Sequence, residues 1–246
     1  VGFKLASFLG LVSGALQMAW APYAMDIQYE PNAKKIYAKV FFIYFVVNIL
    51  AVFFISMFSI DLLKVFTQPA YYSAKAVVPL LCMSVVVFSG YFMVSIGIAR
   101  TKMAQHTLWI TLTAAAVNII MNFLLTPAIG AVGAALSIMT ANFLIFLLTL
   151  SVSQKLYPVD YGYFKIAALF LPAAAIIGLS YYFDLILAVR IILGAVYFIS
   201  AGTYLYLNLK NSDEMKMIMK KIKSMGSKNK AAEAAFVPDD LPENPA

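Results

Sequence analysis

Seven apolar runs separated by short polar stretches dominate the chain, at roughly 1–25, 40–60, 76–99, 107–129, 131–153, 166–183 and 185–207. Each is long enough, at about 1.5 Å per residue, to carry a helix across a hydrocarbon core of about 30 Å. The runs are continuous rather than alternating, which favours helices over barrel strands. The separators carry breakers and charges: 26–39 with Pro31, 61–75 with Pro69, Arg100-Thr101-Lys102, Pro127 with Gly130, and 154–165 with Pro158. The pattern predicts an all-α, polytopic transmembrane helical bundle of about seven spans over residues 1–209.

Composition argues against the main competing class. The chain is 63% hydrophobic and 12% charged, against about 45–50% and about 25% in soluble domains. With a mean hydropathy of +0.87, the apolar excess is too large for one buried core, and a soluble enzyme is not expected. The net charge of +7, from 18 Lys+Arg against 11 Asp+Glu, then reads as topology rather than as a nucleic-acid footprint. Seven spans with an inner C-terminus put Lys34, Lys35, Lys39, Arg100, Lys102, Lys155 and Lys165 inside. Lys4, Lys64, Lys75 and Arg190 fall outside. The bias follows the positive-inside rule, and the lysines of the tail strengthen it. Val1 is not a methionine and no signal peptide precedes the first run, so the chain is expected to be a fragment of a longer protein, cut at its N-terminal side.

After the last run, residues 210–230 place Met215, Ile218, Met219, Ile222 and Met225 at helical spacing among Lys216, Lys220, Lys221 and Lys223. This predicts a basic amphipathic helix lying on a membrane surface, with a merely solvated charged tail as the alternative. Residues 231–246 hold Glu233, Asp239, Asp240 and Glu243 with three prolines, a composition expected to be disordered.

No catalytic constellation is visible, so an enzyme is not expected. The lone His106 has no carboxylate or second histidine at ligand spacing, and Cys82 is the only cysteine. No metal site and no cofactor are expected. Asp26, Glu30, Asp61, Asp160 and Asp184 all fall near span ends, which gives no support to a carboxylate relay. Polar residues inside the runs are more informative. Asn118 and Asn122 lie four apart on one helical face, and an amide in hydrocarbon needs a partner. That face either glues helices together or lines a substrate path. Gln17, Asn48 and Asn142 pose the same choice. Pro22, Pro79 and Pro172 interrupt runs and are hinge candidates. Lys4 and Arg190 are cations near span ends, able either to serve a cavity or to snorkel to headgroups.

Several stretches together resemble one family. They are Lys4-Leu5-Ala6-Ser7 followed by Gln17-Met18-Ala19-Trp20-Ala21-Pro22, then Pro69-Ala70-Tyr71-Tyr72 before Val78-Pro79-Leu80-Leu81. The run Asn118-Ile119-Ile120-Met121-Asn122-Phe123-Leu124-Leu125-Thr126-Pro127 leads into Gly130-Ala131-Val132-Gly133-Ala134-Ala135, and Ser153-Gln154-Lys155-Leu156-Tyr157-Pro158 follows. In order and spacing this set resembles the C-terminal half of bacterial polysaccharide flippases, the O-antigen and capsular repeat-unit translocases of the multidrug/oligosaccharidyl-lipid/polysaccharide exporter superfamily. The resemblance covers about residues 1–209.

The resemblance implies a C-terminal lobe plus terminal helix pair, spans eight to fourteen of about fourteen, in the bacterial inner membrane as a multi-pass protein with a cytoplasmic C-terminus. The implied substrate is an undecaprenyl-pyrophosphate-linked oligosaccharide, moved outward by alternating access for polysaccharide biosynthesis. Lys4 becomes the candidate phosphate contact, with Gln17, Asn118 and Asn122 as cavity or hinge-side polar residues. The implied partners are membrane lipids, a polysaccharide polymerase and glycosyltransferases, with no nucleic acid. Two alternatives stay open: a multidrug or cation-coupled exporter of the same superfamily, and a non-transporting membrane scaffold or assembly protein.

Overall fold

A computed structural model describes residues 2–101, 103–183 and 185–210. Residues up to Leu205 form one compact unit, and Tyr206 begins a second. The expected surface helix and acidic tail lie outside the described residues, apart from Lys210, which ends the last helix.

The described residues are helical almost throughout. The first apolar run forms α1 (Gly2–Asp26) and the second forms α2 (Ala33–Met57). Helix α2 starts seven residues before its apolar run, and Lys34 and Lys35 lie exposed on its first turn. A helix can extend past the apolar stretch wherever its polar turns meet water, so the run marks the buried part and not the whole element.

The polar separator that follows is itself structured. It folds into α3 (Ser59–Phe66) and a 3₁₀ helix over Pro69–Ala76. Buried Leu63 anchors α3. Asp61 in its first turn and Lys64 in its last complement the helix dipole. Pro69 opens the 3₁₀ helix, where its missing N–H costs no bond.

Next come α4 (Val77–Val94) and α5 (Ile96–Thr101), nearly continuous across Ser95. Pro79 is the third residue of α4, in a turn whose N–H groups have no partner within the helix. It marks a 3₁₀-to-α junction within the apolar stretch Ala74–Thr101. Pro172 does lie inside α7 (Tyr163–Tyr182), and Pro22 inside α1. The chain ends its described part with α8 (Leu187–Lys210).

The fourth and fifth runs are the two arms of α6 (Ala104–Leu156). At 53 residues, a straight helix would reach about 80 Å, more than twice a bilayer core. It is not straight. Ile129 (φ −130°, ψ 18°) and Gly130 (φ 59°, ψ −136°) leave helical geometry. A positive φ with an extended ψ is open to glycine and strained for other residues.

Five helical stretches among the described residues are long and apolar enough to cross a membrane: Ala33–Met57, Ala74–Thr101, Gln105–Leu156, Tyr163–Tyr182 and Leu187–Asn208. Their surroundings differ. About 61% of the most apolar window is buried in the first two, but only 22%, 17% and 17% in the last three. The first two are therefore the protein core, and the others expose broad apolar faces. Helix α4 packs against α1, α2 and α6, while α7 lies on α2. Tyr37, Phe41, Phe53, Val78 and Val86 are fully buried. Phe53 meets the Tyr197 ring of α8 at 4.3 Å between centroids, and Tyr197 donates to the Leu169 carbonyl at 3.0 Å.

Residues expected on opposite sides of the spans gather at opposite ends of the bundle. At one end, Arg100 donates to the Gln28 carbonyl at 2.7 Å and lies 4.7 Å over the Tyr157 ring, which Lys34 also covers at 4.7 Å. Tyr161 in the adjoining loop is buried, and burial pushes its hydroxyl well above the ordinary phenol range. At the other end, Arg190 pairs with Asp61 at 2.8 Å, and Tyr181 donates to the Lys75 carbonyl at 2.8 Å. The helices thus alternate in direction.

Candidate functional site

Polar side chains that a mostly apolar bundle has buried must be satisfied or put to use. Here they concentrate between α1, α4 and the second arm of α6. Ser13 on α1 donates to Asn48 Oδ1 at 3.0 Å, and Asn48 Nδ2 donates to the Tyr44 carbonyl at 2.8 Å. Asn48 is thereby a satisfied interhelical tie, fully buried among α1 and α2 side chains. One layer away, Asn142 Nδ2 donates to Ser84 Oγ at 2.8 Å and lies 3.4 Å from the Ser84 carbonyl.

Asn142 and Ser84 also line a cleft of about 320 Å³, together with Gln17, Ser89, Gly10 and Gly14. Gly10, Gly14 and Gln17 share one face of α1 at i, i+4 and i+7. The two glycines make room: a Cβ on Gly14 would meet nothing within 4 Å, and one on Gly10 only Val85 at 3.9 Å. Among the described residues the lining holds two amides and two hydroxyls beside apolar Leu81, Val85, Phe88 and Ile138, and no charged side chain. Each amide supplies two donors and an accepting carbonyl, which suits the hydroxyls of a sugar.

The sequence candidates divide around this cleft. Gln17 lines it, and Asn142, singled out with less support, lines it too. Asn118 and Asn122 lie on the first arm of α6 and are not among its lining residues. Asn118 is partly buried and Asn122 exposed, and the amide oxygen of Asn122 accepts from Thr126 Oγ1 one turn on in its own helix. Lys4 lies on α1, but its side chain is outside the described residues. Ser84, Ser89 and the glycine pair were missed. The glycine spacing is a small-xxx-small signal of close approach that could have located the cleft.

A second, larger cavity of about 400 Å³ lies between α2, α4, α6 and α7, with Phe53, Met83, Met139 and Phe170 among its lining. It is almost wholly apolar, and Pro79 lies on its wall. Arg190 does not serve either cavity; it lines a third, polar pocket at the α3 end of the bundle. Among the described residues, no group of three His, Cys, Asp or Glu side chains is placed to hold a metal ion. No protein-family model, curated protein or solved structure matches the chain.

Proposed function

We propose that the chain is one lobe of a membrane transporter that moves undecaprenyl-pyrophosphate-linked oligosaccharide repeat units across the bacterial inner membrane by alternating access. The observation that carries this reading is the cleft whose mostly apolar wall carries the amides of Gln17 and Asn142 and the hydroxyls of Ser84 and Ser89. A saccharide head group needs hydrogen-bond partners to leave water, and a cleft at the edge of a helical bundle supplies them while the lipid tail stays in hydrocarbon. The motif set of residues 4–158 supports the same substrate class. The broken helix at Gly130 supplies a bend between spans at which one part of the lobe can move against another.

The apolar cavity favours a second reading, an exporter of lipophilic compounds, because its wall offers aromatic and thioether surface with little hydrogen bonding. Deletion of the gene separates the two. Loss of surface polysaccharide with lipid-linked intermediates held at the cytoplasmic face is expected for the flippase. Normal surface polysaccharide, no accumulation and heightened sensitivity to lipophilic drugs would transfer the assignment to the exporter.

A further inference from the structure

The polar pocket at the α3 end is built differently from either cavity. It encloses about 210 Å³ and is lined mainly by polar atoms, from Ser59 and Lys64 on α3, Lys75 on the 3₁₀ helix, Ser180 and Tyr181 on α7, and Arg190 on α8. Among the described residues, three cations line or edge it against one adjacent carboxylate, Asp61, which is engaged by Arg190 Nη1 at 2.8 Å. The same Nη1 also reaches the Met57 carbonyl at 3.1 Å. Arg190 Nε is buried and has no hydrogen-bond partner. A buried, unsatisfied guanidinium donor is uncommon and calls for an acceptor. Tyr181 and Ser59 satisfy each other at 2.6 Å, leaving Lys64, Ser180 and Arg190 as the donors that can turn to a ligand.

We propose that this pocket binds a phosphate ester, with the Arg190 guanidinium, the Lys64 ammonium and the Ser180 hydroxyl donating to its oxygens. Phosphate suits the set because its oxygens accept several charge-assisted bonds at once, and guanidinium with ammonium is the usual donor pair for it. The exposed residues next to the lining in sequence suggest the source. Phe66 is 72% exposed at the end of α3 and Tyr182 83% exposed at the end of α7, with Val65, Phe183 and Ile186 exposed beside them. Aromatic and apolar side chains around a cationic pocket are the arrangement found at headgroup depth, where rings meet the acyl boundary and cations meet phosphate. An anionic phospholipid headgroup meets both halves of this surface, whereas free phosphate would use the pocket and ignore these exposed residues. The site shares no residue with the neutral cleft, so it stands or falls independently of the transport reading.

The test is binding to the detergent-solubilised full chain, with phosphatidylglycerol, phosphatidylcholine and inorganic phosphate as separate probes. Lys64 is exposed, so Lys64→Gln should fold normally, and it is the primary variant. Phosphatidylglycerol is expected to bind better than phosphatidylcholine, and Lys64→Gln should weaken it about fivefold, the effect of one lysine near an anionic headgroup. Phe66→Ser should weaken the lipid but leave inorganic phosphate unchanged. Inorganic phosphate binding as tightly as the lipid, with the same dependence on Lys64 and none on Phe66, would support the phosphate site and assign it to a soluble ligand. Lipid and phosphate binding that Lys64→Gln leaves unchanged, or no binding of either, would overturn the proposal.

Discussion

Gly133 packs directly against the carbonyl group of Leu125, eight residues earlier in the same helix. In an unbroken helix those residues would be separated by about 12 Å along the axis. Their contact shows how sharply α6 folds at Ile129 and Gly130, and a side chain at 133 would overlap the Leu125 carbonyl and the Thr126 amide. Gly133→Ala should therefore destabilise the chain by about 1–3 kcal/mol through overpacking. Gly130→Ala should cost a similar amount, about 1–3 kcal/mol, through its positive φ alone, since its surroundings are open. Thermal unfolding in detergent measures both, and Gly178→Ala, on an open face of α7, is the control expected to change little.

The Arg190–Asp61 pair joins the start of α8 to α3, with Arg190 largely buried and Asp61 partly so. Its worth should fall between that of an exposed pair and a fully buried one. Arg190→Ala is expected to lower stability by about 2 kcal/mol, because it also removes the bond to the Met57 carbonyl. A double-mutant cycle with Asp61→Ala should give a coupling of about 1 kcal/mol, and strict additivity would show that the pair contributes nothing.

If the cleft holds substrate, filling it should stop transport while sparing the fold. Gly14→Leu puts a side chain into space that is open around its Cβ. Normal expression and unfolding temperature are expected, with transport abolished. Gln17→Leu should lower transport about fivefold, the loss of one hydrogen bond to substrate. Asn122→Leu, on the exposed arm of α6, should have a smaller effect than Gln17→Leu.

The charge bias and the two-ended packing make a prediction about sidedness. Cys82 is buried, so single cysteines introduced elsewhere can be labelled selectively. In intact cells, Lys64→Cys should react with a membrane-impermeant maleimide, whereas Lys155→Cys should react only after the membrane is opened. Equal labelling of both would contradict their opposite sidedness, and the reverse order would reverse the orientation.

Much of this fold was legible because the apolar runs report burial directly. The division of α6 was visible as Gly130 between two runs, since no other residue takes its backbone angles without strain. The short α3 and the 3₁₀ helix were hidden inside a separator marked by Asp61, Lys64, Pro69 and Lys75, because the apolar residues of α3 are too few and too interrupted by charge to read as a run. Pro79 lies where the 3₁₀ turn passes into α4, a junction that depends on where the preceding turn ends and that the apolar run does not mark. The cleft was only partly legible. Gln17 pointed to it, but which amides meet across helices depends on tertiary packing. Asn142 found Ser84 on another helix, while the bond that Asn122 makes is to its own. Arg190 was noticed for its charge, and only the fold brings it to Asp61, 129 residues earlier.

The most direct test of the transport account is the transbilayer movement of the lipid-linked oligosaccharide itself. The complete transporter is reconstituted in vesicles with the labelled compound, and the fraction of head groups open to an impermeant modifying reagent is followed with time. The account predicts that this fraction rises steadily past the outer-leaflet share in vesicles that hold the protein, and stays level with Gly14→Leu. A fraction identical to that of protein-free vesicles would contradict it.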